Sequence, residues 1–219
     1  MIGLHLTGFS DSVYTRAVRM ALAEKGLAYD FTDVNPFDED GQTALAGQHP
    51  FTRVPVLQHY AFTLYETAAI LGYLDDAFDG SRLCPKGAKV RARMRQVMGI
   101  VDAYVYWPLV RQVFGHAYYR PAAGIEGDAD TITAGMGEAP RVLDALEEIA
   151  SAGLVLTGRN VTQADCMLFP MLDAFACVPE GRRMMAARPG LEHWYTSISA
   201  RPSAQGTRPA IMNEGLGDV

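Results

Sequence analysis

Cysteine is scarce in this chain: three occur in 219 residues, at positions 84, 166 and 177. The count is odd, no two stand as CxxC, and no spacing suits a metal. Neither a disulfide framework nor a metal centre is expected, and the usage fits a reducing, cytoplasmic setting. Long apolar runs are missing as well. No stretch reaches 18 apolar residues without charge, so a membrane span is not expected. The first residues, MIGLHLTGFSDS, lack the basic and then apolar pattern of a secretory leader and read as a strand. An excess of positive charge is also missing. The formal net charge is −6, with 4 basic and 10 acidic side chains in residues 1–78 and 15 of each in the remainder. Nucleic acid is therefore not an expected partner. Repeats and low-complexity tracts do not occur.

What is present is an ordinary globular composition, 49% hydrophobic and 20% charged, long enough for one large or two modest domains. Residues 2–7 alternate loosely and predict a strand. Tyr14, Val18, Ala21 and Leu22 then recur at helical spacing, with Ser12 as N-cap and Lys25-Gly26 as terminator. Residues 28–34 predict a second strand, and residues 35–48, with Pro36, Gly41 and Gly47, a short helix at most. Two strands near 55–58 and 61–64 and a helix over 66–77 complete a β-α-β-α-β-β-α order. The first two strands can form a parallel unit and the last two an antiparallel hairpin.

Composition shifts at Asp79-Gly80-Ser81, and Pro85-Lys86-Gly87 ends a linker. Nothing strand-like follows. Residues 88–119 predict one long helix that bends at Pro108, its apolar residues Met94, Val97, Met98, Val101, Val105, Leu109 and Val113 at three-to-four spacing. A helix over about 131–152 follows. Thr162 and Asp165 form a capping box for an apolar helix, and 189–200 make a last helix stopped by Arg201-Pro202.

The most informative stretch is QHPFTRVPVLQHYAFTLYETAAILG, residues 48–72. Pro55 fits poorly inside a central strand, so Val54-Pro55 marks a specific entry into one. One such entry is a cis bond, which would leave the N–H and C=O of Val54 free for a ligand. Eleven residues on from Pro55 come Glu66 and Thr67, where a helix starts; a helix N-terminus binds anions. The plain alternative is a hairpin with an ordinary turn proline.

HPFTRVPVL with LYETAAI resembles the glutathione-binding half of the cytosolic glutathione S-transferase superfamily, in particular its serine-type, phi- and theta-like classes. SVYTRAVRMALAEKG, VTQADCMLFPML and HWYTSISARPS resemble the family's first helix and its C-terminal helices. The resemblance implies an α/β thioredoxin-like domain over 1–78, a linker over 79–87 and an all-α helical domain over 88–219. It implies glutathione as co-substrate, a hydrophobic electrophile as partner, a homodimer and a role in detoxification.

Residue by residue, the resemblance makes Ser12, four residues before Arg16, the catalytic hydroxyl that donates to the glutathione sulfur. Ser10 and Tyr14 are alternatives within one turn. No cysteine stands at this turn, which disfavours disulfide chemistry. Val54 pairs with the cysteinyl backbone, Pro55 shapes that edge, and Arg53 lies near the tripeptide. Glu66 and Thr67 hold the γ-glutamyl end. Phe37-Asp38-Glu39-Asp40 puts acids where a basic residue is expected, leaving Gln42 or His49 for the glycyl carboxylate. Asp102 either reaches a γ-glutamyl ammonium across a dimer or is an exposed helix carboxylate; the second reading is preferred. The aromatic residues late in the long helix exceed what one packed face needs, so Tyr106, Arg111, Phe114 and Tyr118 are assigned to a hydrophobic-substrate pocket. Phe51 is a candidate contact with a partner subunit. The rival function is a non-catalytic ligand-binding or interaction module on the same fold.

Overall fold

A computed structural model describes residues 3–216. Four strands form one sheet in the order β2-β1-β3-β4: β1 Leu4–Gly8, β2 Asp30–Asp33, β3 Val56–His59 and β4 Phe62–Tyr65. β1 runs parallel to β2, with His5 opposite Asp30, and antiparallel to β3, with Leu6 opposite Leu57. β3 and β4 are the expected hairpin. Leu4 and Leu6 are buried.

Helix α1, Val13–Lys25, begins and ends as its sequence dictates. Ser12 has extended backbone, and its Oγ accepts from the Thr15 N–H at 3.2 Å. Gly26 adopts φ +66°, and Leu27 N–H closes back on Leu22 O at 2.9 Å. That left-handed residue is what a terminal glycine supplies. α2, Glu39–Ala46, is short, and α3 covers Thr67–Ala77.

The rest is helical: α4 Ala88–Ile100, a π-helical continuation Val101–Tyr119, then α5 Arg120–Ala122, α6 Ala129–Ser151, α7 Gln163–Ala176, α8 Pro179–Ala186, α9 Pro189–Ser199, α10 Pro202–Gln205 and a 3₁₀ turn Ala210–Leu216. α8 and α10 are additions to the sequence reading. Both open on proline, which reads as a stop for the preceding helix but also suits the first position of the next. The π segment is a further difference. Pro108 has no N–H to bond the turn before it, and the chain passes it with a wider winding, Arg120 N–H meeting Gly115 O five residues back.

α7 is buried along almost its whole length and forms the centre of the helical layer. The capping box expected at its start is present, and Asp165 makes further bonds. The Asp165 carboxylate accepts from both the N–H and the hydroxyl of Thr162, at 2.7 and 2.6 Å, and from Trp194 Nε1 at 2.6 Å.

The sheet layer and the helical layer are joined by buried charge. Arg16 of α1, 1% exposed, reaches Asp173 of α7 at 2.6 Å. Arg208 at 2.6 Å and the Tyr195 hydroxyl at 2.7 Å share that carboxylate. Burial works against the charged form of Asp173, but Arg16 and Arg208 hold its carboxyl below its ordinary value. A second buried pair, Lys25–Asp75 at 3.4 Å, sits beside residues 81–84: Asp75 accepts from Leu83 and Cys84 N–H.

Candidate functional site

A cavity of about 470 Å³ opens between the sheet layer and the π segment. One wall comes from three chain turns. The start of α1 supplies Ser12 and Val13, the entry to β3 supplies Arg53, Val54 and Pro55, and the start of α3 supplies Glu66 and Thr67. The facing wall is the π segment, with Asp102, Tyr106, Trp107, Val110, Arg111, Phe114, Gly115 and Tyr119. From Tyr106 to Gly115 they fall in adjacent pairs that repeat every four residues, with Asp102 and Tyr119 at the two ends, as one face of a helix presents.

Ser12 is half-buried at the cavity floor. Its oxygen accepts from Thr15 N–H, and a hydroxyl that accepts one bond can still donate its own hydrogen to a ligand. Ser10 does not share this position. Both its N–H and its hydroxyl donate to Asp33, and it lies outside the lining. Tyr14 lines the cavity, but its hydroxyl donates to Asp102 at 2.9 Å, and its ring lies 4.9 Å from that of Tyr106. Burial, then Asp102, raises the Tyr14 hydroxyl far above its ordinary value and keeps it protonated. Asp102 is thus an exposed carboxylate with a partner in its own chain. Partial burial raises its pKa and Glu66 adds to the rise, while the Tyr14 bond opposes it.

The Val54–Pro55 bond is cis. The strand ladder begins at Val56, so the Val54 backbone lies outside it. Glu66, not Thr67, occupies the cap position of α3, and Thr67 is the first helical residue, buried at 6% exposure. No side chain caps this helix among the described residues, which leaves its first-turn N–H groups for an anion. Glu66 has φ +70° and ψ 115°, a conformation that L residues avoid. Strained residues of this kind cost about 1–3 kcal/mol and collect at ligand sites.

Two expected site residues fall elsewhere. Gln42 is exposed on α2 and does not line the cavity. The acidic start of α2 turns Asp38 into its N-cap, bonded to Gly41 N–H, and this sets the helix face. His49 lines the cavity instead; its Nδ1 accepts from Phe51 N–H at 3.1 Å, which leaves Nε2 to carry the proton. Burial, helped by Arg53, lowers its pKa and favours this neutral form, with Glu66 opposing. Tyr118 is also off the lining. Its hydroxyl donates to Ile211 O at 3.1 Å and its ring stacks on Phe114. Tyr119 takes the place given to it, donating to Asp11 at 3.2 Å, with its hydroxyl pushed up to about 12 by burial and then Asp11. Phe9 and Phe37 were not among the site residues expected from the sequence. They meet edge to face at 6.3 Å at the cavity, and no local pattern marks them.

The arrangement offers a hydroxyl donor, a short run of unpaired strand backbone, a carboxylate beside an uncapped helix start, and an aromatic wall. A family model described as "Glutathione S-transferase, N-terminal domain" matches residues 6–82, and one described as "Glutathione S-transferase, C-terminal domain" matches residues 129–197. Among curated relatives, glutathione S-transferase 3 of Zea mays is 28% identical over 216 residues, covering 96% of each chain. A glutathione S-transferase of Arabidopsis thaliana is 26% identical over 209 residues, covering 94% of this chain and 99% of its own. Among solved structures, a glutathione transferase from Populus trichocarpa matches with a TM-score of 0.81 at 24% identity, over 98% of this chain and all of the other.

Proposed function

The chain belongs to the glutathione S-transferase superfamily and has the activity of a glutathione transferase, and we propose that its cleft ionises the thiol of glutathione at Ser12. The observation that carries this is convergence. Ser12, Val54, Glu66 and Thr67, far apart in sequence, line one cavity whose other wall is aromatic. The γ-glutamyl ammonium meets Glu66, and its carboxylate meets the start of α3. The cysteinyl backbone pairs with Val54 as an added strand would. His49 and Arg53 serve the glycyl end in place of Gln42.

With the peptide so held, its sulfur lies by Ser12. A free thiol has a pKa near 8.5, so little is ionised at neutral pH. One hydroxyl donor together with the N-terminus of α1 stabilises the anion by roughly 1.4–3 kcal/mol. That lowers the pKa by about one to two units and ionises much of the bound thiol. The thiolate attacks the electrophile against Tyr106, Trp107 and Phe114; a carbon–sulfur bond forms and the leaving group departs. The setting is cytoplasmic and the function detoxifying. The protein is a two-fold homodimer, a reading supported by Phe51 and Tyr104, 67% and 63% exposed. Sedimentation is expected at about twice the chain mass of 23.9 kDa; a monomer at micromolar concentration would remove the dimer.

Calorimetry with glutathione, followed by turnover of a chromogenic aromatic halide, tests the whole reading. Saturable binding with turnover supports it. Binding without turnover of any electrophile returns the protein to the non-catalytic alternative.

A further inference from the structure

The cavity lining carries two arginines, Arg53 and Arg111, and neither is in an ion pair among the described residues. Arg16, Arg182, Arg183, Arg188, Arg201 and Arg208 each meet a carboxylate. Arg111 meets none among the described residues. It lies on the cavity wall, and its recorded partner is an aromatic face: its guanidinium stands 5.6 Å from the ring centroid of Phe37. Phe37 comes from the sheet layer and is 57% exposed, so this contact crosses the cleft. Phe9 abuts Phe37, and Trp107 and Phe114 lie one turn either side of Arg111 on the same lining face. Asp11, on the same lining, is engaged by Tyr119.

A guanidinium stacked on a ring keeps its in-plane N–H donors free, and these match a carboxylate two to one. The surrounding rings make a slot for a flat apolar body. We infer that Arg111 selects the second substrate, and that the preferred electrophile is an aromatic compound carrying a carboxylate-type anionic group. This rests on the glutathione-transferase reading of the cleft and adds its substrate class. The glycyl end of glutathione is also a carboxylate, so the same chemistry has two sources.

Two synthetic conjugates separate them: S-(4-carboxybenzyl)glutathione and S-(4-carbamoylbenzyl)glutathione. They share the whole peptide and differ in one anionic group. Calorimetry on the wild-type protein is expected to give an affinity ratio of about ten in favour of the carboxylate, as one charge-assisted pair supplies. Arg111→Gln is expected to bring that ratio to near one, and Arg111→Lys to retain part of it. Equal wild-type affinities for the two conjugates overturn the inference and leave the glutathione site standing. So does an Arg111→Gln variant that weakens both conjugates alike, because Arg111 then serves the peptide or clamps Phe37. If neither conjugate binds, both the inference and the glutathione reading fall.

Discussion

The two walls of the cleft are built by different means. On the sheet side, each ligand group sits where regular structure begins: Ser12 before α1, Val54 before β3, Glu66 before α3. Groups at such positions have backbone valence that the element itself does not use. On the helical side, one wound segment presents a row of side chains from Asp102 to Tyr119, and which of them face inward depends on the pitch of that segment. The first wall therefore suits a ligand that is always the same. The second suits one that varies, because a side chain there can change without disturbing a cap or a ladder. Between the layers lies a buried ion network centred on Asp173.

The largest expected effect comes from breaking that network. Asp173→Ala leaves Arg16 buried without its anion and should cost roughly 3–5 kcal/mol in urea unfolding. A loss under about 1 kcal/mol would mean that apolar packing alone keeps the walls in register. The pH dependence follows with a definite sign. The folded carboxyl of Asp173 lies below its ordinary value. Its stabilisation is complete above the unfolded pKa of about 3.9 and is lost as pH falls through the lower folded value. Acid titration of the wild type should show this loss, and the variant should lack it.

Next in size is Glu66. Glu66→Ala should weaken glutathione by roughly 1.5–3 kcal/mol, read by titration. Glu66→Gly should weaken it similarly while raising folding stability by about 1 kcal/mol, because φ +70° is free for glycine. If both variants bind as the wild type does, the γ-glutamyl end is not held on this wall.

Ser12→Ala should lower turnover about tenfold or more, with glutathione affinity nearly intact and the pH–rate profile moved up by about one to two units. An unchanged profile would shift the sulfur contact to backbone N–H groups or water. The smallest effect is expected at Tyr14→Phe, less than about threefold on turnover, since its hydroxyl is held by Asp102. A Tyr14→Phe loss equal to that of Ser12→Ala would show that Asp102 and Tyr14 act on the thiol together, and the division between the walls would fail.

How much of this the bare chain disclosed differs between the walls. Ser12 as N-cap, Gly26 as terminator, the break at Val54-Pro55 and the helix start near Glu66-Thr67 could all be read from residues within a few positions of one another. Gln42 and Tyr118 were misplaced, and Phe9, Phe37 and Tyr119 were missed. Tyr118, Tyr119 and Phe37 depend on neighbours remote in sequence, Ile211, Asp11 and Arg111 in turn, whereas Gln42 is turned outward by the local cap at Asp38. The short helices α8 and α10 were hidden because proline both ends and begins helices.

Local chemistry therefore settled the order of the strands and the longer helices and the three turns that bear ligand groups, because caps, turns and alternation act over a few residues. Only the tertiary structure decided which aromatic side chains line the cleft, that Asp102 partners Tyr14, and that Arg111 meets a ring rather than an acid. Those outcomes turn on the pitch of the segment around Pro108 and on where the Asp173 network sets α1 against α7. A few tenths of a residue per turn, accumulated over four turns, moves a side chain from one face to another, and a pattern of apolar spacing does not resolve so small a difference.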